Sequence, residues 1–167
     1  MNKINETFLE VIENHKGIIY KITNSYCKEI DDRSDLIQEI ILQLWKSFGS
    51  YNDTFKYSTW IYRIALNTSI SFYRKNRKRQ QNTTELSAII ENTLLAEESV
   101  LENPDLKNLQ KCIEELKEID KAIILLYLDE LSQKEIAKII GISPTNVGTK
   151  LSRIKKKLQH KFKSIKK

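Results

Sequence analysis

Apolar residues recur at helical spacing from one end of the chain to the other, and no segment alternates apolar and polar positions as a strand does. The pattern predicts an all-α protein. A first helix is expected over residues 5–27, with Phe8, Val11, Ile12, Ile18, Ile19, Ile22 and Tyr26 on one stripe. A second is expected to begin near Asp32, whose carboxylate suits an N-cap. Asp35 follows in the turn where negative charge favours a helix start. Its stripe of Leu36, Ile37, Ile40, Ile41, Leu44, Trp45 and Phe48 is broad enough to face a core. Gly49, Ser50, Tyr51, Asn52 and Asp53 make a turn-rich break. A third helix is expected from about Ser58. It carries Trp60, Ile61, Ile64, Ala65, Thr68 and Phe72 inward and ends in the basic run 74–79.

Residues 81–103 turn polar and acidic, with Glu85, Glu91, Glu97, Glu98 and Glu102, and read as a linker with residual helicity around 86–101. Asn103-Pro104 restarts the helical pattern, with Asn as N-cap and Pro in the first turn. The next helix places Leu106, Leu109, Ile113 and Leu116 at helical spacing beside Cys112, and another covers about 120–129 with Ile123, Leu126 and Tyr127. Ser132 and Glu135 then form a capping box opening a short helix, with Ile136, Ala137 and Ile140 facing inward. Gly141 suits a left-handed C-cap, and Ser143-Pro144 starts a new helix at once. That last helix is expected to bury Val147, Leu151, Ile154, Leu158 and Phe162. Two capped helices around a three-residue turn opening on Gly form a helix-turn-helix pattern. The expected architecture is two small helical domains, 1–80 and 104–167, joined by the acidic linker 81–103, the C-terminal one a helix-turn-helix.

Charge changes this picture by where it lies. The 167 residues carry 28 Lys and Arg against 22 Asp and Glu, a net +6. Residues 1–80 hold +4, residues 81–130 hold −8 and residues 131–167 hold +10. Basic ends around an acidic middle fit two nucleic-acid-facing modules. Lysine-rich ends that only keep the protein soluble fit the same numbers. No apolar run approaches the ~18 residues of a membrane helix, and the first residues lack a signal-peptide core, so no membrane insertion is expected. Cys27 and Cys112 are too few for a disulfide framework and too isolated for zinc. They read as small core residues of a cytoplasmic protein. His15 and His160 lie far apart, and there is no His-Glu-x-x-His, Gly-rich phosphate loop or Ser-His-Asp signature. No catalytic residue, metal or cofactor is expected, and the chain does not read as an enzyme.

The last helix carries the clearest candidate chemistry. Its outward face begins with Thr145, Asn146 and Thr149, followed by Lys150 and Arg153, residue types suited to base edges and phosphates. Lys155, Lys156, Lys157, Lys161, Lys163, Lys166 and Lys167 follow and would serve phosphates without reading sequence. Gly148 costs about 1 kcal/mol relative to Ala inside a helix, which suits a close approach of some other group to the backbone. The alternative is a helix pair used for packing alone.

Two separated stretches together resemble the sigma-70 family of bacterial RNA polymerase subunits, extracytoplasmic-function (ECF) type. Asp35-Leu36-Ile37-Gln38-Glu39-Ile40-Ile41-Leu42-Gln43-Leu44-Trp45 is similar to that family's core-polymerase-binding helix. Phe55-Lys56-Tyr57-Ser58-Thr59-Trp60-Ile61-Tyr62-Arg63-Ile64-Ala65-Leu66-Asn67 is similar to its segment for melting and reading the −10 promoter element, with the basic run 74–79 following. Residues 131–158 resemble its helix-turn-helix for the −35 element. The resemblance implies a promoter-specificity subunit whose partners are core RNA polymerase, promoter DNA and an anti-sigma factor. It implies that Asp35, Gln38, Glu39, Leu42 and Gln43 face the polymerase. The loop 49–57 with Lys56 and Tyr57, together with Trp60, Arg63, Asn67, Arg74 and Arg77, would hold the melted −10 strand, and Thr145, Asn146, Thr149, Lys150, Arg153 and Lys157 would meet the −35 duplex. The acidic linker would thread polymerase channels, its charge mimicking nucleic acid.

Trp60 keeps two readings, core packing and base stacking. Two departures from the family bear on the −35 sequence read: a basic residue is missing at Gly148, and Lys150 stands where Arg is common and cannot make the same planar bidentate contact. Two rivals remain at this point. A stand-alone helix-turn-helix regulator leaves the loop 49–57 and the run 74–79 without a role. A protein-binding helical adaptor would use its basic tail for solubility.

Overall fold

Short connections and local caps decide where the helices begin. The computed structural model describes residues 3–81 and 103–165, and among these it contains seven helices and no strand, as the periodicity predicts. The chain divides into two units, Met1–Asn76 and Arg77–Lys167. The expected linker, with its residual helicity, lies outside the described residues except at its two end positions.

In the N-terminal unit, α1 (Lys3–Tyr26) packs on α2 (Ile30–Phe48), and α3 (Tyr57–Gln81) adds its own apolar face to the core. Phe8, Val11, Ile19, Ile22 and Tyr26 of α1 are buried, as are Leu36, Ile40 and Leu44 of α2. The start of α2 corrects the sequence expectation. The helix begins at Ile30, and Glu29, not Asp32, is its N-cap, without a side-chain cap bond. Arg33 accounts for the early start: its guanidinium donates to the carbonyls of Cys27 at 3.0 Å and Lys28 at 2.8 Å, tying the end of α1 to the first turn of α2. Asp32 instead lies in that first turn, and its carboxylate accepts from Asn76 Nδ2 at 3.2 Å.

The buried face of α3 also differs. Ile61 and Ala65 are buried as expected, but with them are Tyr62, Leu66, Ser69 and Ile70, while Trp60, Ile64, Thr68 and Phe72 are half-buried. Tyr62 and Ser69 are polar enough that hydropathy alone turned the predicted face away from them. Trp45, expected inside, is 43% exposed. Its ring meets Phe8 edge-on at 5.0 Å and closes the rim of the core.

The C-terminal unit comprises α4 (Pro104–Glu114), α5 (Glu118–Leu128), α6 (Gln133–Ile140) and α7 (Pro144–Ile165). The last of these is its spine and packs on the other three, and α5 also packs on α6. Asn103 Oδ1 caps α4 by accepting from the Asp105 N–H at 2.9 Å. The capping box of α6 is complete: Ser132 Oγ accepts from the Glu135 N–H at 3.3 Å and the Glu135 carboxylate accepts from the Ser132 N–H at 2.9 Å. Gly141 adopts φ +81°, which a side chain would resist, and its N–H donates to Ala137 O at 2.9 Å. Ser143 Oγ then accepts from the Asn146 N–H at 3.2 Å and starts α7. Val147, Leu151, Ile154 and Leu158 are buried as expected, and Phe162 is half-buried. On α6 the fully buried residues are Ile136, Ala137 and Ile139, with Ile140 half-buried, because α5 and α7 grip this short helix from two sides.

Candidate nucleic-acid interface

The caps of α6 and α7 leave one polar surface at the start of α7. With Val147, Leu151 and Ile154 held in the core, helical geometry turns Thr145, Asn146, Thr149 and Arg153 outward, and all four are exposed. Thr149 Oγ1 donates to Thr145 O at 3.1 Å, so its hydroxyl presents lone pairs outward. Lys150, expected on the same surface, is half-buried, and its Nζ lies 3.4 Å from Asp120 Oδ1 of α5. Arg153 makes no ion pair among the described residues and is the free cation nearest the start of the helix.

Later turns of α7 are partly committed as well. Lys155 Nζ sits 3.9 Å from the centre of the Tyr127 ring, a cation–π contact that covers an otherwise exposed aromatic. Lys161 pairs with Glu115. Its hydrogen bond and charge, with the charge of Lys157 beyond, hold the Glu115 carboxyl below the usual carboxylate range. Lys156 and Lys157 are exposed. The close approach anticipated at Gly148 is internal to the helix pair: a Cβ there would stand 3.0 Å from Oε1 of Gln133 on α6. These two residues are 15 positions apart, and no local signal joins them.

In the N-terminal unit the loop between α2 and α3 is an aromatic cluster. The rings of Tyr51 and Tyr57 stack with centres 4.5 Å apart, and Trp60 lies 5.4 Å from Tyr51 and 6.1 Å from Phe48. Trp60 is thus half-buried among aromatics, at the boundary between core and loop. Tyr51 donates its hydroxyl to the carbonyl of Phe55, closing the loop on itself, and Asp53 holds a left-handed φ of +52° at its tip. The Arg63 guanidinium lies 5.6 Å over the Phe55 ring. Lys56, Arg63, Asn67, Arg74 and Arg77 are all exposed. Tyr51 and Phe55 lie within the loop 49–57, and the ring contacts between loop and helix are what the sequence does not show.

An open groove of about 840 Å³ separates α2 from α3. Asp35, Gln38, Glu39, Leu42 and Gln43 line one wall, and Ile64, Asn67, Thr68, Phe72 and Lys75 are among the residues of the other. Gln43 Nε2 donates to Glu39 Oε1 at 2.7 Å, and Leu42 is 43% exposed. The structure therefore gathers the five predicted polymerase-facing residues on one wall.

Both units match a known family. The sigma-70 region 2 family matches residues 11–79, and the family of sigma-70, region 4 matches residues 106–158. The RNA polymerase sigma factor SigV of Bacillus subtilis is 32% identical over 143 residues, covering 85% of this chain and 82% of its own length. The chain belongs to the sigma-70 family, ECF type. The ECF RNA polymerase sigma factor SigW of Bacillus subtilis is 26% identical over 170 residues, covering 96% of this chain and 91% of its own. Two solved structures share the fold. CnrH in complex with the cytosolic domain of CnrY matches with a TM-score of 0.68 at 19% identity, over 96% of this chain and 90% of its own. The sigma factor RpoE in complex with the anti-sigma factor NepR from Bartonella quintana matches at 0.67 and 20%, over 98% of each chain. As a sigma-70 family member, the chain is a promoter-specificity subunit of RNA polymerase that acts in transcription initiation. Among the described residues, no helix is long and apolar enough to cross a membrane.

Proposed function

We propose that this sigma factor divides promoter recognition between its two units, as domains 1–80 and 104–167 on a linker 81–103. The exposed start of α7, with Thr145, Asn146, Thr149 and Arg153 around a buried apolar seam, supports a recognition helix in the −35 major groove. Lys157 lies on a later turn suited to phosphate, and Lys150 reaches DNA only by leaving Asp120. The loop between α2 and α3, with Lys56, Tyr57, Trp60, Arg63, Asn67, Arg74 and Arg77 along the following helix, takes the melted −10 strand. Extruding a base costs a few kcal/mol, and stacking on the loop aromatics together with exposed cations offsets it. The groove wall of Asp35, Gln38, Glu39, Leu42 and Gln43 docks on core RNA polymerase, combining acidic groups with an exposed leucine.

The protein acts in the cytoplasm, carries no catalytic activity of its own, and is restrained by an anti-sigma factor, in keeping with the complex of RpoE with the anti-sigma factor NepR. The observation that carries this reading is the order of the two matches, region 2 before region 4, on one chain. The test is reconstitution. Core polymerase with this protein should start transcription of genomic DNA at a defined set of promoters, while the protein alone binds duplex DNA weakly. Tight dimeric binding to a palindrome without polymerase would overturn the division proposed here.

A further inference from the structure

Gln133 is the first residue of α6, and its carboxamide lies over Gly148, on the second turn of α7. A Cβ at Gly148 would be 3.0 Å from Gln133 Oε1 and 3.6 Å from both Cδ and Nε2, so the amide stands in tight contact with the place where a side chain at 148 would begin. Gln133 is exposed, and its amide makes no hydrogen bond to a described residue. The capping box already serves this end of α6 through Ser132 and Glu135, so the cap makes no demand on the Gln133 side chain. A long polar side chain is thus held against the proposed recognition helix with its donors unspent.

The position matters because of how such a pair docks. The second helix of a helix-turn-helix enters the major groove, while the first crosses the phosphate backbone. Glutamine is among the side chains that donate to phosphate oxygens and set the register of the protein on the duplex. We propose that Gln133 donates its Nε2–H to a backbone phosphate beside the element read by α7, through the space that Gly148 leaves open. This rests on the reading of α6 and α7 as the duplex-binding pair. The contact fixes the seating of α7 and carries no base preference.

The test uses holoenzyme and a duplex promoter fragment identified by reconstitution, titrated across salt concentration. Gln133→Ala should weaken binding about fivefold, as expected for one lost hydrogen bond, and equally on fragments carrying base changes in the −35 element. Gln133→Lys should recover the affinity and steepen the slope of log affinity against log salt by about 0.9. Gly148→Ala favours the helix and shifts the amide by only a few tenths of an ångström, so it should leave the melting temperature no lower and cost less binding than Gln133→Ala; a larger loss than Gln133→Ala would overturn the role given to the Gln133 amide. Arg153→Ala is the control for the duplex reading. If it weakens binding while Gln133→Ala and Gln133→Lys change neither affinity nor slope, the phosphate contact is wrong and the duplex reading stands. A loss in Gln133→Ala confined to one −35 base pair also overturns the proposal, in favour of a base contact. If Arg153→Ala has no effect either, the duplex reading falls and the role of Gln133 falls with it.

Discussion

Thr23 and Ser69 carry fully buried hydroxyls that find no hydrogen-bond partner among the described residues. An unpaired buried donor costs roughly 1–3 kcal/mol, and removing the hydroxyl while keeping the shape recovers part of that. Thr23→Val is therefore expected to raise stability by about 1 kcal/mol in urea denaturation; a lower midpoint would mean the hydroxyl is paired after all. Cys27 makes a second prediction at the same scale. Burial first, then the charge of Asp32, pushes its thiol up to about 11 from an ordinary value of 9.0, with Arg33 opposing. A group whose folded pKa is raised contributes stability that is full below the unfolded value and lost as pH rises through the folded one. The Cys27 contribution should therefore hold at neutral pH and drain away between 9.0 and about 11. Wild type should lose stability across that window by more than Cys27→Ala does, and iodoacetamide should label native Cys27 slowly at neutral pH. Parallel pH profiles for the two proteins would rule out the thiol as the cause.

The Asp120–Lys150 pair joins α5 to α7, the proposed recognition helix, and sets how much positive charge that helix presents. A partly exposed ion pair contributes little to stability, so its main effect is to withhold one cation from DNA. In holoenzyme, Asp120→Asn should strengthen duplex binding at low salt and steepen the salt slope by about 0.9, with little change in melting temperature. An unchanged slope would mean Lys150 already leaves Asp120 when DNA binds. The pair also illustrates which parts of the site could be read in advance. Ser132 with Glu135, Asn103 with Pro104, and Ser143 with Pro144 are caps written within three residues, and each forms as the spacing predicts. The exposed set Thr145, Asn146, Thr149 and Arg153 follows from the period of Val147, Leu151 and Ile154. What could not be read depends on contacts between elements: Arg33 reaching back to Cys27, Lys150 spanning 30 positions to Asp120, and Gln133 over Gly148. Trp45 escaped for a related reason, since an aromatic at the rim of a stripe has the same sequence pattern as one at its centre.

At the scale of the whole chain, each unit has its own buried residues and its own family match, so each holds what a domain needs to fold alone. Fragments 1–81 and 103–167 are expected to melt cooperatively by circular dichroism when prepared separately. Under the division proposed above, promoter recognition is a different matter, because it needs both contacts at once. Once one unit is bound, the covalent tether raises the local concentration of the other into the millimolar range, worth ~10²–10⁴ in overall affinity. Equimolar fragments with core polymerase should therefore initiate at least about 100-fold less than the intact chain at a concentration where the latter saturates. Rejoining the fragments through a Gly-Ser tether of native length separates spacing from charge. Residues 82–102 hold five glutamates and no basic residue. If the segment only spaces the units, the neutral tether restores promoter binding and initiation together. If its charge occupies a polymerase channel, binding returns while the rate of initiation does not. The net −5 of residues 82–102, lying between residues 1–80 at +4 and residues 131–167 at +10, favours the second outcome: a neutral sequence would span the same distance, and acid placed between the two proposed DNA-binding units lowers their affinity unless that charge has a site of its own.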